Sequence, residues 1–164
     1  MLTARFAGYL DYLSGGRWGW NIVNGFRDAE ARLFGFDKLP DHDASYDMAD
    51  EYLSVVQQLW QGEPIDHQGK NFKVNGKLAR PQPGSQPLLV SASSSPRGQQ
   101  FAARYCDYLF TVVLGEEVWP QLRANLRKYA EEAGRAAPPE VLVMGDFLVR
   151  DRAGEAADLY DTIM

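Results

Sequence analysis

The sequence has few of the residues and patterns that define several large classes of protein. Its 164 residues include a single cysteine, Cys106, so an internal disulfide framework is excluded and a reducing compartment is favoured. No apolar run approaches the roughly 20 residues that a membrane helix needs. The N-terminus also lacks the apolar stretch and cleavage site of a signal peptide. These absences predict a cytoplasmic protein with no membrane partner.

Positive charge is scarce as well. The 17 Lys and Arg residues are scattered and are outnumbered by 22 Asp and Glu, which gives a net charge of −5. Proteins that bind nucleic acid cluster basic residues against phosphates, so no nucleic acid partner is expected. The spacing of His, Cys and carboxylate residues matches no metal site. Hydrophobic residues nevertheless make up 45% of the chain, enough for one domain with a core.

Apolar periodicity divides the chain into helices and strands. Leu2, Phe6, Leu10 and Leu13 recur at helical spacing, and the Ser14–Gly16 turn ends that helix. Strands that are apolar on both faces, as in a buried parallel sheet, are predicted over 17–24, 88–92, 107–113 and 140–149. Helices are predicted over 28–34, 44–61, 97–105, 116–133 and from Gly154 to Met164, with Asp43 or Ser45 as the N-cap of the second of these.

The order of these elements predicts the fold class. Strict alternation of strands and helices is typical of an α/β fold with a parallel sheet and right-handed crossovers. In such folds the chemistry lies at the carboxyl ends of the strands. A small hairpin is predicted over 65–74, and a connector with three prolines over 81–87 leads into the second strand.

Two long motifs carry a family resemblance. Residues 10–25 read LDYLSGGRWGWNIVNG and residues 41–52 read DHDASYDMADEY. Both resemble motifs of the bacterial-luciferase-like flavin monooxygenases. The nearest branch is that of nitrilotriacetate monooxygenase component A and the pyrimidine, dimethylsulfone and dibenzothiophene-sulfone monooxygenases. The hairpin, the proline-rich connector and the serine-rich loop before Gly98 also fit the family's order, so the resemblance covers essentially the whole chain.

The resemblance implies a partial TIM (β/α)8 barrel, with about four parallel strands, crossover helices and a small hairpin insertion. A complete barrel needs about 250 residues and eight strands. The strands of this chain would be the fourth to the seventh, so residues 1–164 are expected to form a single luciferase-like domain fragment that lacks the N-terminal strands and the last strand. We expect such a fragment to be inactive alone.

The family also implies a reaction with two protein components. A partner flavin reductase supplies reduced FMN, and the monooxygenase uses O2 to insert one oxygen into a small organic substrate. The sequence leaves that substrate open. Because the flavin carries the oxidation, no acid–base pair is demanded, and no catalytic residue is assigned.

Three candidate cofactor-binding residues lie near the two motifs. Asn24 follows the first strand, where the family places a small polar residue close to the flavin; alternatively its amide caps local backbone. His42 and Tyr46 are four residues apart at the start of the long helix, where free N–H groups and the helix dipole suit a phosphate. Family members use matching residues for the FMN phosphate, although Ser45 replaces a common Arg. The alternative is an exposed His and a packing Tyr.

The other candidates are Ser91, Ser94 and Ser95, at the end of the second strand and in the loop after it. Hydroxyl and N–H groups at a strand–helix junction can cradle phosphate, whereas a serine-rich loop is also an ordinary helix cap. Ser93 stands where the family usually has Gly. Arg97 either steers an anion to this helix end or is simply solvated.

Two interpretations stay open beside the flavin monooxygenase. In one of them the chain is a non-catalytic half-barrel remnant that pairs its open strand edges with another copy. Because open strand edges favour such pairing, a homo-oligomer is expected. The third interpretation is a deazaflavin-dependent oxidoreductase of the same superfamily.

Overall fold

The structure, a computed structural model, describes residues 1–25, 28–33, 35–112, 115–145 and 147–163. The predicted element ends at Phe34, Val113 and Met164 lie outside these ranges. The helices are α1 (Leu2–Ser14), α2 (Asp28–Leu33), α3 (His42–Trp60), α4 (Pro96–Tyr105), α5 (Val118–Glu132) and α6 (Ala153–Ile163). The strands are β1 (Gly19–Ile22), β2 (Ile65–Gln68), β3 (Lys73–Gly76), β4 (Leu88–Ala92), β5 (Tyr108–Val112) and β6 (Glu140–Met144).

Four strands form a parallel sheet in the order β1-β4-β5-β6. Ile22 is level with Ser91, and Ser91 is level with Leu109. β2 and β3 form a separate antiparallel hairpin. Helices connect the successive strands of the sheet, and α3, α4 and α5 supply much of the core. This arrangement confirms the predicted α/β fold and is that of part of a (β/α)8 barrel.

The two faces of the sheet have different surroundings. Leu89, Ser91 and Leu109 alternate onto the face that the helices cover, where each is at most 1% exposed. The opposite, open face is also apolar, yet it is exposed; its members include Leu88, Phe110, Val112, Leu142 and Met144. The prediction of strands buried on both faces is therefore wrong within the described residues, because helices cover only one face.

α1 packs through its small residues. Ala4, Ala7 and Gly8 are buried, whereas Leu2, Phe6, Leu10 and Leu13 are exposed. Trp60 Nε1 donates a hydrogen bond to the Ala4 carbonyl oxygen at 3.3 Å. A Cβ on Gly8 would collide with the backbone carbonyl of Pro81, so the helix lies against the proline-rich connector. Small side chains allow this close backbone approach, and the larger apolar residues are left on the outer side.

A carboxylate fastens the hairpin to α3. Glu51 accepts hydrogen bonds from the backbone N–H groups of Asn71 and Phe72, each at 2.9 Å. It also accepts one from Asn71 Nδ2 at 2.7 Å and lies 3.0 Å from His67 Nε2. Burial raises the pKa of Glu51, but these hydrogen bonds outweigh it and lower that pKa to about 2. The ionised carboxylate is thus the form that holds the hairpin.

The long helix starts two residues earlier than predicted. α3 begins at His42 with Asp41 as its N-cap, so Asp43 and Ser45, the predicted caps, lie inside the first turn. Ser45 instead donates its hydroxyl to the Pro40 carbonyl oxygen at 3.1 Å. The earlier start brings His42 and Tyr46 onto one continuous helix. No helix among the described residues is both long and apolar enough to cross a membrane.

Candidate functional site

The β4–α4 connection ends in a well-formed helix start. Ser95 is the N-cap of α4, and its Oγ accepts a hydrogen bond from the Gly98 N–H at 3.1 Å. Pro96 follows at the first helical position, where its missing N–H costs nothing and its fixed φ suits the helix. Ser93 Oγ lies 3.2 Å from Ser95 Oγ and accepts the Ser95 N–H, also at 3.2 Å. Two serine hydroxyls are therefore held together at a helix N-terminus.

Tyr46 reaches the same place from α3. A Cβ added to Gly98 would lie 2.6 Å from Tyr46 Oη and would collide with Ser93 Oγ. Because Gly98 has no side chain, Ser93 Oγ and Tyr46 Oη both lie close to its backbone. We call the group of Tyr46, Ser93, Ser95 and Gly98 the α3–α4 cleft. It combines hydroxyl groups with the positive end of a helix dipole, which is the chemistry of an anion site.

The Tyr46 ring is fixed by its neighbours. It is buried and packs at a tilt against Phe101, with ring centroids 5.7 Å apart. The His42 ring meets it edge-on at 5.1 Å. The Arg97 guanidinium lies over it, 5.5 Å from the ring centroid. With the ring enclosed on these sides, the hydroxyl is held beside Gly98.

Arg97 is committed to carboxylates on α3. It donates to Asp47 Oδ1 at 3.0 Å and also to Asp50 Oδ2. Burial lowers the pKa of Arg97, but the hydrogen bonds and charges of Asp50 and Asp47 outweigh it, so this pKa lies above its ordinary value. Of the two roles considered from the sequence, anion steering and simple solvation, the contacts match neither. The guanidinium joins α4 to α3.

Asn24 leaves the sheet at the same edge as this cleft. It lies two residues beyond Ile22, and Ser93 lies two residues beyond Ser91, the register partner of Ile22. Asn24 and Ser93 therefore follow neighbouring strands at equivalent positions. The Asn24 Nδ2 atom is buried and has no hydrogen-bond acceptor among the described residues. A buried amide donor without an acceptor is costly, which makes it a candidate to meet a bound group.

The other candidate residues have different surroundings. The His42 side chain is 58% exposed, and its Nδ1 lies 2.7 Å from Asp43 Oδ1. Ser94 is exposed, and its carbonyl oxygen accepts a hydrogen bond from Gln99 Nε2 at 3.1 Å. Ser91 lies within β4 on the helix-covered face. The structure thus brings Tyr46 and Ser95 together, places His42 beside Tyr46, and leaves Ser91 inside the sheet.

Three residues of this region carry more of its geometry than the sequence indicated. Ser93 stands at the centre of the cleft, although the family's usual Gly at that position argued against it. Gly98 allows the close approach of Tyr46 and Ser93, whereas the sequence indicated it only through the family's serine-rich loop before it. Asp50 is the largely buried partner of Arg97, and its spacing of three from Asp47 on α3 was the only local sign of a shared partner.

A separate groove of about 980 Å³ lies between α5 and the segment that leads into β6. Trp119, Arg123 and Val141 are among its lining residues. It shares no lining residue with the α3–α4 cleft. Size alone therefore does not mark the chemistry in this chain.

The chain matches the Luciferase-like monooxygenase family over residues 1–164 and belongs to that family. It is 38% identical over 142 residues to a pristinamycin IIA synthase subunit from Streptomyces pristinaespiralis, covering 82% of this chain and 32% of that protein. It is 32% identical over 180 residues to dimethyl-sulfide monooxygenase from Hyphomicrobium sulfonivorans, covering 96% of this chain and 38% of that protein. The chain thus spans roughly a third of the length of these curated relatives.

A solved riboflavin lyase, with modified FMN and riboflavin bound, superposes with a TM-score of 0.83 at 30% identity. The match covers 98% of this chain and 41% of that one. Relatives also include dibenzothiophene-sulfone and pyrimidine monooxygenases and nitrilotriacetate monooxygenase component A. The predicted family and its branch are confirmed.

Proposed function

We propose that the chain binds reduced FMN in a flavin-dependent monooxygenase reaction, in which one oxygen atom of O2 enters a small organic substrate. The observation that carries this proposal is the α3–α4 cleft, where three hydroxyl groups and a helix N-terminus converge on Gly98, whose missing side chain allows their close approach. Membership of a monooxygenase family supports the reaction class. The six predicted residues, Asn24, His42, Tyr46, Ser91, Ser94 and Ser95, remain proposals as contacts of the cofactor.

The residues present fit a phosphorylated flavin. The cleft offers hydroxyl donors and the positive end of α4 to a phosphate. The orphaned Nδ2 of Asn24 follows the neighbouring strand and suits an acceptor on the flavin ring. Bound reduced FMN supplies the reaction with O2, and the chain's own residues bind it, orient it and exclude water. We assign phosphate binding to Tyr46, Ser93 and Ser95, and ring contact to Asn24.

Exclusion of water depends on the open face of the sheet. In a closed barrel such a face is covered, whereas here Leu88, Val112 and Met144 are each more than two-fifths exposed. We therefore propose that turnover requires this face to be enclosed as in a complete barrel, which association with a second copy does not reproduce, and that the isolated 164-residue chain shows none. Mixing the chain with reduced FMN, a flavin reductase and candidate sulfur or heterocyclic substrates tests this. Turnover at a rate typical of an enzyme would contradict it.

Two partners are proposed. A flavin reductase supplies the reduced cofactor, because the name nitrilotriacetate monooxygenase component A denotes one component of a larger system. A second copy of this chain covers the exposed apolar face and the open strand edges, since such surfaces favour association. Light scattering of the purified chain tests the second point, with a homo-oligomer expected.

Cofactor choice is tested by titrating FMN and a deazaflavin coenzyme separately and following flavin fluorescence. We expect FMN to bind. In Gly98→Ala the new Cβ forces Ser93 and Tyr46 apart, so we expect weaker FMN binding; a loss of about 1–3 kcal/mol corresponds to roughly 5- to 150-fold in affinity. Gly154→Ala is the matched control, because a Cβ on this helical glycine of α6 meets nothing within 4 Å. Binding of the deazaflavin alone would favour the deazaflavin-dependent alternative, and binding of neither would favour the non-catalytic remnant.

A further inference from the structure

The polar contacts between α3 and α4 beside the cleft centre on one arginine, Arg97, and one largely buried carboxylate, that of Asp50. The side chains of Arg97 and Asp50 are 19% and 18% exposed, whereas Asp47, the other partner of Arg97, is 62% exposed. Charges shielded from water interact more strongly than surface pairs and are screened less by salt. The Arg97–Asp50 pair is therefore the dominant polar contact between these two helices.

Arg97 and Asp50 both lie within one helical turn of the cleft. Arg97 immediately precedes Gly98, and its guanidinium lies over the Tyr46 ring at 5.5 Å. Asp50 lies one helical turn beyond Tyr46 on α3. The pair therefore ties the helix that carries Tyr46 to the helix turn that carries Gly98. If it breaks, the separation between the Tyr46 hydroxyl and the serines of the α4 N-terminus is no longer fixed.

We propose that the Arg97–Asp50 ion pair is a positioning clamp, which holds Tyr46 Oη at the distance from Ser93 and Ser95 that the flavin phosphate requires. Neither residue of the pair touches the flavin in this proposal. The clamp rests on the proposed function, since it names how the phosphate end of that site is kept in shape. Well-ordered supporting contacts of this kind commonly change ligand affinity by about 10–100-fold at other sites.

An alternative role for Arg97 is simple attraction of a negative phosphate. The two roles predict opposite signs for Asp50→Asn. Removing a negative charge near an anion site strengthens FMN binding if long-range attraction is all that matters. Removing the partner of Arg97 weakens FMN binding if the clamp matters, because the guanidinium is no longer anchored. The sign of this one change therefore separates positioning from attraction.

The experiment measures dissociation constants of FMN and riboflavin for the wild-type chain, Asp50→Asn and Arg97→Gln. Riboflavin lacks the phosphate, so it reports the rest of the site. We expect both variants to weaken FMN binding about tenfold and to change riboflavin binding less than about twofold. Arg97→Lys keeps a charge for Asp50 but loses the second carboxylate contact, so partial rescue is expected. Arg104→Gln is the matched control, since it removes an exposed cation 4.0 Å from Asp50 Oδ1.

A second measurement does not need the ligand. Hydrogen exchange of the Tyr46 and Gly98 backbone amides in the flavin-free chain should accelerate in Asp50→Asn, while the amides of β4 stay as protected as in the wild type. Far-UV circular dichroism checks that each variant folds.

The outcomes separate this inference from the proposed function. A wild-type chain that binds FMN no better than riboflavin overturns the proposed function and the phosphate role with it. A wild type that prefers FMN, together with an Asp50→Asn variant that binds FMN as tightly or more tightly, overturns the clamp alone. Unchanged amide exchange in Asp50→Asn also overturns the clamp.

Discussion

The two faces of the parallel sheet have similar apolar composition but opposite surroundings. Leu109 is 0% exposed beneath the helices, and the next residue along β5, Phe110, is 36% exposed on the open face. Apolar sequence therefore indicates that a surface is suited to burial, and a second layer decides whether it is buried. In this chain the covered face stabilises the fold, and the open face is available for contact with another surface.

The largest expected difference between the faces is in stability. Leu109→Ala removes a fully buried side chain and should lower the free energy of unfolding by about 2–5 kcal/mol. Phe110→Ala changes a residue that already contacts water and should cost about 1 kcal/mol or less. Urea denaturation of the two variants, at dilutions where the chain is monomeric, measures both values. Equal losses there would contradict the difference between the two faces.

The second test concerns association through the open face. Phe110→Asp places a charge on the open face, level with Leu142 and two residues from Val112, and should shift the chain toward the monomer, because a charge cannot be buried there without a partner. Light scattering across a range of concentrations measures this shift. Glu131→Gln, at an exposed position of α5 away from this face, is the control and should leave the assembly state unchanged. A monomeric wild-type chain would contradict the expectation directly.

The third test concerns Glu51, the polar contact that fastens the hairpin to α3. We expect its loss to affect the hairpin alone, whereas loss of a buried apolar side chain affects the whole fold. The pKa of Glu51 is about 2 in the folded chain and 4.5 ordinarily, so its contribution is present above pH 4.5 and is lost as the pH falls through 2. Glu51→Gln should loosen the hairpin at neutral pH and remove this part of the acid dependence. Exchange of the Asn71 and Phe72 amides between pH 2 and pH 6 measures the effect. An acid dependence that is unchanged in the variant would refute the assignment.

The smallest expected effect concerns the buried thiol of Cys106, which we expect not to react with a thiol reagent. Burial raises the pKa of Cys106 to about 12, and Asp107 adds to that shift, so the thiol should not react with a disulfide reagent at pH 8. Val112→Cys places a thiol on the open face and should react rapidly. Absorbance of the released thiolate follows both reactions. Fast reaction of the wild-type chain would show that the covered layer opens readily.

Much of the fold follows from local sequence. The period of the apolar residues predicted α3 to within two residues at each end, and Gly15 in the left-handed conformation, with φ of 63°, ends α1 as the glycine turn indicated. β6 was predicted to continue to residue 149 because its apolar run continues. Within the described residues β6 ends at Met144, which is level with Val112 of β5. Apolar sequence alone does not set where a strand ends.

The candidate site was predictable only in part. The spacing of His42 and Tyr46 follows from helix geometry, and their rings do meet. The approach of Tyr46 to Gly98, and of Arg97 to Asp50, joins residues about 50 positions apart and depends on how two helices pack. Such contacts have no local signature. The motif over residues 41–52 led to the hypothesis of a flavin cofactor. The packing of α3 against α4 shows which side chains lie close together.

Glu51 has a consequence for engineering the hairpin. It accepts hydrogen bonds from two backbone N–H groups of the hairpin as well as contacting the side chains of His67 and Asn71, so part of its contact depends only on the path of the backbone. Gly69 is constrained, because a Cβ there would lie 2.6 Å from the Glu51 carboxyl carbon. Gln68 and Lys70 are exposed to solvent. The hairpin is thus a grafting site. A foreign recognition loop could be displayed there while Glu51 of α3 keeps its hydrogen bonds to the hairpin backbone.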